Sequence, residues 1–283
     1  MRPLTRLSIS IALLLLLAAC SSAPVAPPDC TGTGQVSVLA AGNPLANLSR
    51  RDLDQILAAP RANADREARA QALLAEACPD LSVEPIPGHK QHNLVCTLTG
   101  RSPQQILVGA HYDRAGQGSG VADNWTGVVT TLRLLTYFVA NPPEHTLVFA
   151  LFGEEEPGMI GSAHYARSIN PANLRAMINI DTLGLGPVTI DRRSDPTLAC
   201  QAHRVARLMA IAVRSNNLPE TVGDWRVFRR AGVPVLNLHS LDRAGLRVVH
   251  TRRDRAETVN LAAVNDGYRV ALQTLRALDR QGG

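Results

Sequence analysis

His145-Thr-Leu-Val-Phe-Ala-Leu-Phe-Gly-Glu-Glu-Glu156 is an apolar run that stops abruptly at three acids. A strand with one face in water alternates apolar and polar residues; Leu147 to Leu151 do not, so the run reads as a central strand covered on both faces. Working outward, Gln105–Ala110 ends in His111-Tyr112-Asp113, Met177–Ile180 ends in Asp181, and Val233–His239 is a further buried-type strand. Asn93–Thr99, joined to Gln105 through a Gly-Arg-Ser-Pro turn, and Val188–Asp191 complete the predicted strands. Helical spacing is read near 49–58 and 63–77, with Ser49 and Asn63 as N-caps, and over 123–139, 159–168, 197–214 and 259–279. Strands alternating with helices predict an α/β chain, a three-layer α/β/α sandwich around a central mixed, mostly parallel sheet.

In such sheets ligands gather beyond the carboxyl ends of the strands. His111, Glu154-Glu155-Glu156 and Asp181 stand at those ends. Asp123 opens a helix after the glycine-rich loop Gly116–Gly120, and His250 follows Val248-Val249. Imidazole and carboxylate are the ligands of a zinc site that keeps a position open. A lone histidine at a strand end is more often structural, and an acidic triplet can be a solvated turn. Three like charges at the end of a buried strand are nevertheless costly without a cation. His239 competes with His250 for the same role. His89, His92, His145, His164 and His203 read as structural or surface residues, and Arg226, Arg229 and Arg230 as a solvated face. No G-x-S-x-G elbow is present, which disfavours a serine hydrolase.

Five segments, in order across residues 105–251, resemble the co-catalytic di-zinc aminopeptidases of the secreted bacterial leucyl aminopeptidase type. They are Val108-Gly-Ala-His-Tyr-Asp113, Gly120-Val-Ala-Asp-Asn-Trp-Thr-Gly127, Phe152-Gly-Glu-Glu-Glu-Pro-Gly-Met-Ile-Gly-Ser162, Ile178-Asn-Ile-Asp181 and His250-Thr251. The resemblance implies a phosphorylase/hydrolase-like zinc exopeptidase fold and two Zn2+ per chain. Asp123 would bridge the metals, His111 and Asp181 would complete one zinc, and Glu156 and His250 the other. Glu155 would be the general base on the metal-bridging water, removing N-terminal residues from peptides. Asp113 would hydrogen-bond His111 and fix its tautomer. The related glutaminyl cyclases, which work with one zinc as acyltransferases, are the alternative enzyme reading. A carboxypeptidase and a non-catalytic surface-binding lipoprotein are further rivals.

The match has departures. Ala122 stands where the family often has an aspartate, and Trp125, in place of a small residue, could narrow the cleft. The family's Ser-Asp-His segment is here Gly223-Asp224-Trp225, and Asp254 is a candidate partner to the ligands from behind.

The N-terminus points to export. Arg2 and Arg6 precede Ile11–Ala19, an apolar run containing Leu13 to Leu17 and too short to span a bilayer. Leu17-Ala18-Ala19-Cys20 resembles the bacterial lipobox. The expected division is therefore a signal peptide over 1–19, a tether over 20–34 behind a lipidated Cys20, and one catalytic domain over 35–283. That places the protein in the cell envelope on the periplasmic face, at the outer membrane rather than the inner by analogy with Ser21 after the anchor. The net charge of +5 contains no long basic run, so peptides are the expected partners and not nucleic acid. Cys30, Cys78, Cys96 and Cys200 form no C-x-x-C pair; Cys78–Cys96 is the preferred local disulfide, with two other pairings open.

Overall fold

The computed structural model describes Cys30 and residues 37–281. The expected signal segment, Cys20 and all of the tether but Cys30 lie outside the described residues. Eight strands form one sheet: β1 (Leu81–Pro85), β2 (His92–Leu98), β3 (Ser102–His111), β4 (His145–Phe152), β5 (Leu174–Ile180), β6 (Thr189–Asp191), β7 (Arg214–Asn216) and β8 (Val235–His239). Their spatial order is β1-β2-β4-β3-β5-β8-β6-β7. The inner pairs β4–β3, β3–β5 and β5–β8 are parallel, while β1–β2, β2–β4 and β6–β8 are antiparallel. The sheet is thus mixed and mostly parallel at its centre, as the sequence predicts.

β4 is buried at all of its residues, the condition its unbroken apolar run demands. Alternate side chains supply two cores. Phe149, Val108, Ile178 and Leu236 face α1 (Arg50–Leu57), α2 (Asn63–Ala77), α3 (Thr126–Ala140), α5 (Pro196–Leu208) and α7 (Leu261–Asp279). Val148, Leu107, Met177 and Phe152 face α4 (Ile160–Ser168) and α6 (Trp225–Arg230), where Tyr165 and Phe228 close the layer. Side-chain caps start several helices: Ser49 and Asp52 form a capping box on α1, and Asn260 caps α7.

Several expectations needed correction. β2 and β3 follow each other in sequence yet are not neighbours, because β4 lies between them. β1, β7 and the short α6 were not read from the sequence, and the helix expected to reach residue 214 ends at Leu208, with β7 taking up its tail. α3 begins at Thr126, since Asp123 and Asn124 have non-helical backbone angles. Asn63 does not cap α2; its side-chain amide instead brackets the backbone N–H and C=O of Arg114. Disulfides join Cys78 to Cys96 and Cys30 to Cys200. Among the described residues no helix is long and apolar enough to cross a membrane.

Candidate metal centre

The topology fixes where the site must be. From β3 the chain crosses through α3 to β4 on one side, then returns through α4 to β5 on the other. The carboxyl end of β3 is therefore a switch point, where diverging loops leave a crevice. His111 closes β3 and is paired with Phe152, so the loop bearing Glu155 and Glu156 begins level with it. Gly109 pairs with Asn179, which places Asp181 level with His111 on the opposite side.

The structure brings the five candidate ligands together. His111 Nε2 lies 3.2 Å from Asp123 Oδ1 and 3.5 Å from Asp181 Oδ1. His250 Nε2 lies 3.1 Å from Asp123 Oδ2 and 3.0 Å from Glu156 Oε2. The carboxylate of Asp123 thus turns one oxygen to each pair. Among the described residues, His111, Asp123 and Glu156 offer donor atoms that all lie within 4.8 Å of one another. Four carboxylates, counting Glu155, and two imidazoles in one cleft fit divalent cations bound through nitrogen and oxygen.

Backbone contacts hold these side chains in place. Asp113 accepts from the N–H groups of Glu155 and Glu156, both at 3.1 Å, and so ties the end of β3 to the loop after β4. Its link to His111 runs mainly through the main chain: Nδ1 lies 3.2 Å from the Asp113 carbonyl oxygen and 3.5 Å from its carboxylate. Asp254 accepts from the N–H of Ala122 at 2.8 Å and of Asp123 at 3.1 Å, gripping Asp123 from behind. Asn124 reaches across to Ile180 and Thr182 at the end of β5. Gly116, at φ +71°, has no room for a Cβ, because the carbonyl of His250 passes directly over it; only glycine meets both demands.

Beneath the site Arg66 is fully buried, its guanidinium over the Trp125 ring and donating to the carbonyls of Tyr112, Ser119 and Gly120. Burial lowers its pKa to about 10, while Asp123, Asp113 and Asp254 resist that loss of charge. Trp125 is buried in the core and donates to Gln55, so it does not narrow the cleft.

The field in the crevice is strongly negative. Hydrogen bonds donated to Asp123 and Glu156 push His250 up to about 11. Burial works against a charged His111, yet Glu155, Asp113, Asp123 and Asp181 carry it well above the ordinary imidazole range. Burial raises Glu155 well above the usual carboxylate range, and Asp224, Asp181 and Asp123 reinforce the rise against the pull of His111. The same field that favours protonated imidazoles favours a bound cation.

The ligands line a cavity of about 460 Å³ together with Glu155, Met159, Trp225 and Val249. Its far wall contains His239, which is not with the ligands. His239 accepts through Nδ1 from the Leu241 N–H, and its Nε2 lies 3.9 Å from Asp191. Sequence reasoning missed Asp224. It is buried beside this cluster, pushed up to about 7 first by burial and then by Asp181 and Asp113, and one of its oxygens has no hydrogen-bond partner. The only signal was its place in the altered Gly223-Asp224-Trp225 segment.

The sequence model of peptidase family M28 matches residues 93–275, well over half of the chain. The chain belongs to peptidase family M28. Within the family it is similar to an aminopeptidase of Pseudomonas aeruginosa, 32% identical over 97 residues, which are 33% of this chain and 18% of that protein. Yeast vacuolar membrane proteases also match, and the matched stretch is only 12% of their length. Among solved structures, the Legionella pneumophila LapA aminopeptidase aligns with a TM-score of 0.70 at 16% identity, covering 82% of this chain and 71% of that one. A glutaminyl cyclase from an Acidobacteriales bacterium aligns with a TM-score of 0.70 at 16% identity, covering 89% and 99%. These likenesses establish the M28 fold.

Proposed function

We propose that this M28 chain is a zinc aminopeptidase that binds two zinc ions. The observation that carries the reading is the division of ligands across Asp123, with His111 and Asp181 on one oxygen and His250 and Glu156 on the other. His111, Asp123, Glu156, Asp181 and His250 would hold the zinc, which when bound would supply polarisation of the peptide carbonyl and a water whose pKa is lowered to about 7. Glu155 takes the proton from the attacking water as its oxygen bonds to the carbonyl carbon. It then returns that proton to the leaving nitrogen as the C–N bond breaks. A base raised by burial is matched to work near neutral pH. Asp113, accepting from the Glu155 and Glu156 N–H groups, keeps base and ligand on separate headings. Buried Asn237 and His239 are among the residues lining the cavity, whose volume of about 460 Å³ suits the terminal part of a chain.

Metal analysis alongside leucine p-nitroanilide hydrolysis tests the reading. Two zinc ions per chain and release of leucine are expected. Glu155→Gln is expected to keep both metals while kcat falls about 10²- to 10⁴-fold; an unchanged rate removes Glu155 from the role of base. The near end-to-end alignment with a glutaminyl cyclase favours acyl transfer as a second reading. Cyclisation of N-terminal glutamine without peptide hydrolysis would select it.

The anchoring scheme is also part of this proposal: removal of residues 1–19, lipid on Cys20, a tether to residue 34, and attachment at the outer membrane. Recovery of the protein in inner-membrane fractions rejects that placement.

A further inference from the structure

A second groove, about 670 Å³, meets the catalytic cavity at one shared residue, His250. Its walls include Gly116, Gln117, Arg247, Arg252 and Arg253. We propose that this groove receives a carboxylate from the part of the peptide beyond the scissile bond, so that substrates acidic there are preferred. The proposal rests on the aminopeptidase reading and deepens it.

Three observations support it. First, the arginines are exposed and none forms a salt bridge among the described residues, although Arg214 and Arg255 nearby pair with Asp242 and Glu257. Second, two of the guanidinium groups are aimed by neutral acceptors, which orient the charge without cancelling it. Arg247 donates to the carbonyl of Arg243 at 3.0 Å and Arg252 to Gln117 Oε1 at 3.0 Å. A planar fork held in this way suits a carboxylate. Third, the two cavities adjoin at His250, so a chain whose terminal residue sits among the candidate ligands can leave along the groove. Arginines spread over a solvated face need no common target, whereas Arg247, Arg252 and Arg253 line one groove that also includes a metal-ligand candidate.

The carboxylate can come from an acidic side chain or from the free C-terminus of a dipeptide. Four compounds separate the sources: Leu-Ala-amide, Leu-Glu-amide, Leu-Lys-amide and Leu-Ala with a free carboxyl. Leu-Glu-amide or free Leu-Ala is expected to show a KM about fivefold below that of Leu-Ala-amide, in line with a few partly screened ion pairs. Leu-Lys-amide should be the weakest, and the preference should shrink as salt is raised. Arg252→Gln combined with Arg253→Gln is expected to bring the ratio close to one, with an unchanged circular dichroism spectrum. A gain confined to the glutamyl amide assigns the side chain as source, and a gain confined to free Leu-Ala assigns the chain terminus. Equal KM values for all four compounds, or a preference that survives the double substitution, overturn the proposal. So does loss of binding to phosphatidylglycerol vesicles in the double variant with no change in peptide preference, which assigns the arginines to a lipid surface. Calorimetric titration of the same compounds into Glu155→Gln reads the groove without turnover. Acid-selective binding there, with no leucine released by the wild type, would sink the aminopeptidase reading and leave the groove standing.

Discussion

Asp123 is the side chain on which the site divides. Because its two oxygens face different partners, removing it should act on both halves, whereas removing Asp181 or Glu156 should act on one. Elemental analysis is expected to find about two zinc ions in the wild type, about one in Asp181→Ala and neither at full occupancy in Asp123→Ala, following the two-metal geometry. Equal losses in the two variants would contradict that division. His111, Glu156, Asp181 and Asp123 were legible as candidate ligands because each follows a strand or a glycine loop, and strand ends follow from hydrophobic pattern; His250, in a turn after Val248-Val249, was legible only through the family resemblance. Arg66 and Asp224 were not. Arg66 lies one turn before Ala70 on the buried stripe of α2, where an arginine breaks the apolar pattern instead of announcing it, and Asp224 lies in a segment that leads into α6, with Trp225 under Arg193.

Among the elements, α3 shows how tightly the layers must meet to place Asp123. A Cβ on Gly127 would approach the Ile180 carbonyl to 2.6 Å and would also meet the Asn124 side chain. Neither neighbour is free to move, because Asn124 is already bonded to Ile180 and Thr182. Gly127→Ala is therefore expected to destabilise the fold by about 1–3 kcal/mol, the usual cost of overpacking, and to weaken metal retention. Urea unfolding and dialysis against a chelator measure the two effects. The elements that the sequence hid share a cause: β1 and β7 are edge strands whose side chains are largely exposed or half-buried, so neither shows the apolar run that identified β4. The end of α5 escaped notice because Met209–Val213 continues its apolar composition after the helix has stopped.

Taken together, the layers are tied by two covalent links of very different reach. Cys78–Cys96 closes 18 residues and Cys30–Cys200 closes 170. On the chain-entropy argument the first stabilises by about 3 kcal/mol and the second by about 5. Replacing Cys200 by Ser should therefore lower the denaturation midpoint more than replacing Cys78, measured in the absence of reductant. The contribution of His239 to stability should decline in mildly acidic solution. Burial holds the His239 imidazole below its ordinary value, so below about pH 6.5 the unfolded chain takes up a proton that the folded one resists. Measured against His239→Gln, the urea midpoint of the wild type is expected to lose ground between pH 8 and pH 5.5. Asp191 runs the same way at lower pH. Although burial opposes its charge, Arg193 holds it below the usual carboxylate range, so its stabilisation is lost as pH falls below about 4.

The slot that β4 occupies between β2 and β3 has a consequence for assembly. When residues 92–111 have left the ribosome, β2 can zip onto β1 but not onto β3, because the rung between β2 and β3 has not yet been synthesised. The facing edges of β2 and β3 stay unpaired until residue 152 is available, a window in which a holding chaperone or an aggregate competes for them. Fragments cut before residue 145 should accordingly fail to nucleate, and a circular permutant that begins at β4 should fold faster than the natural order.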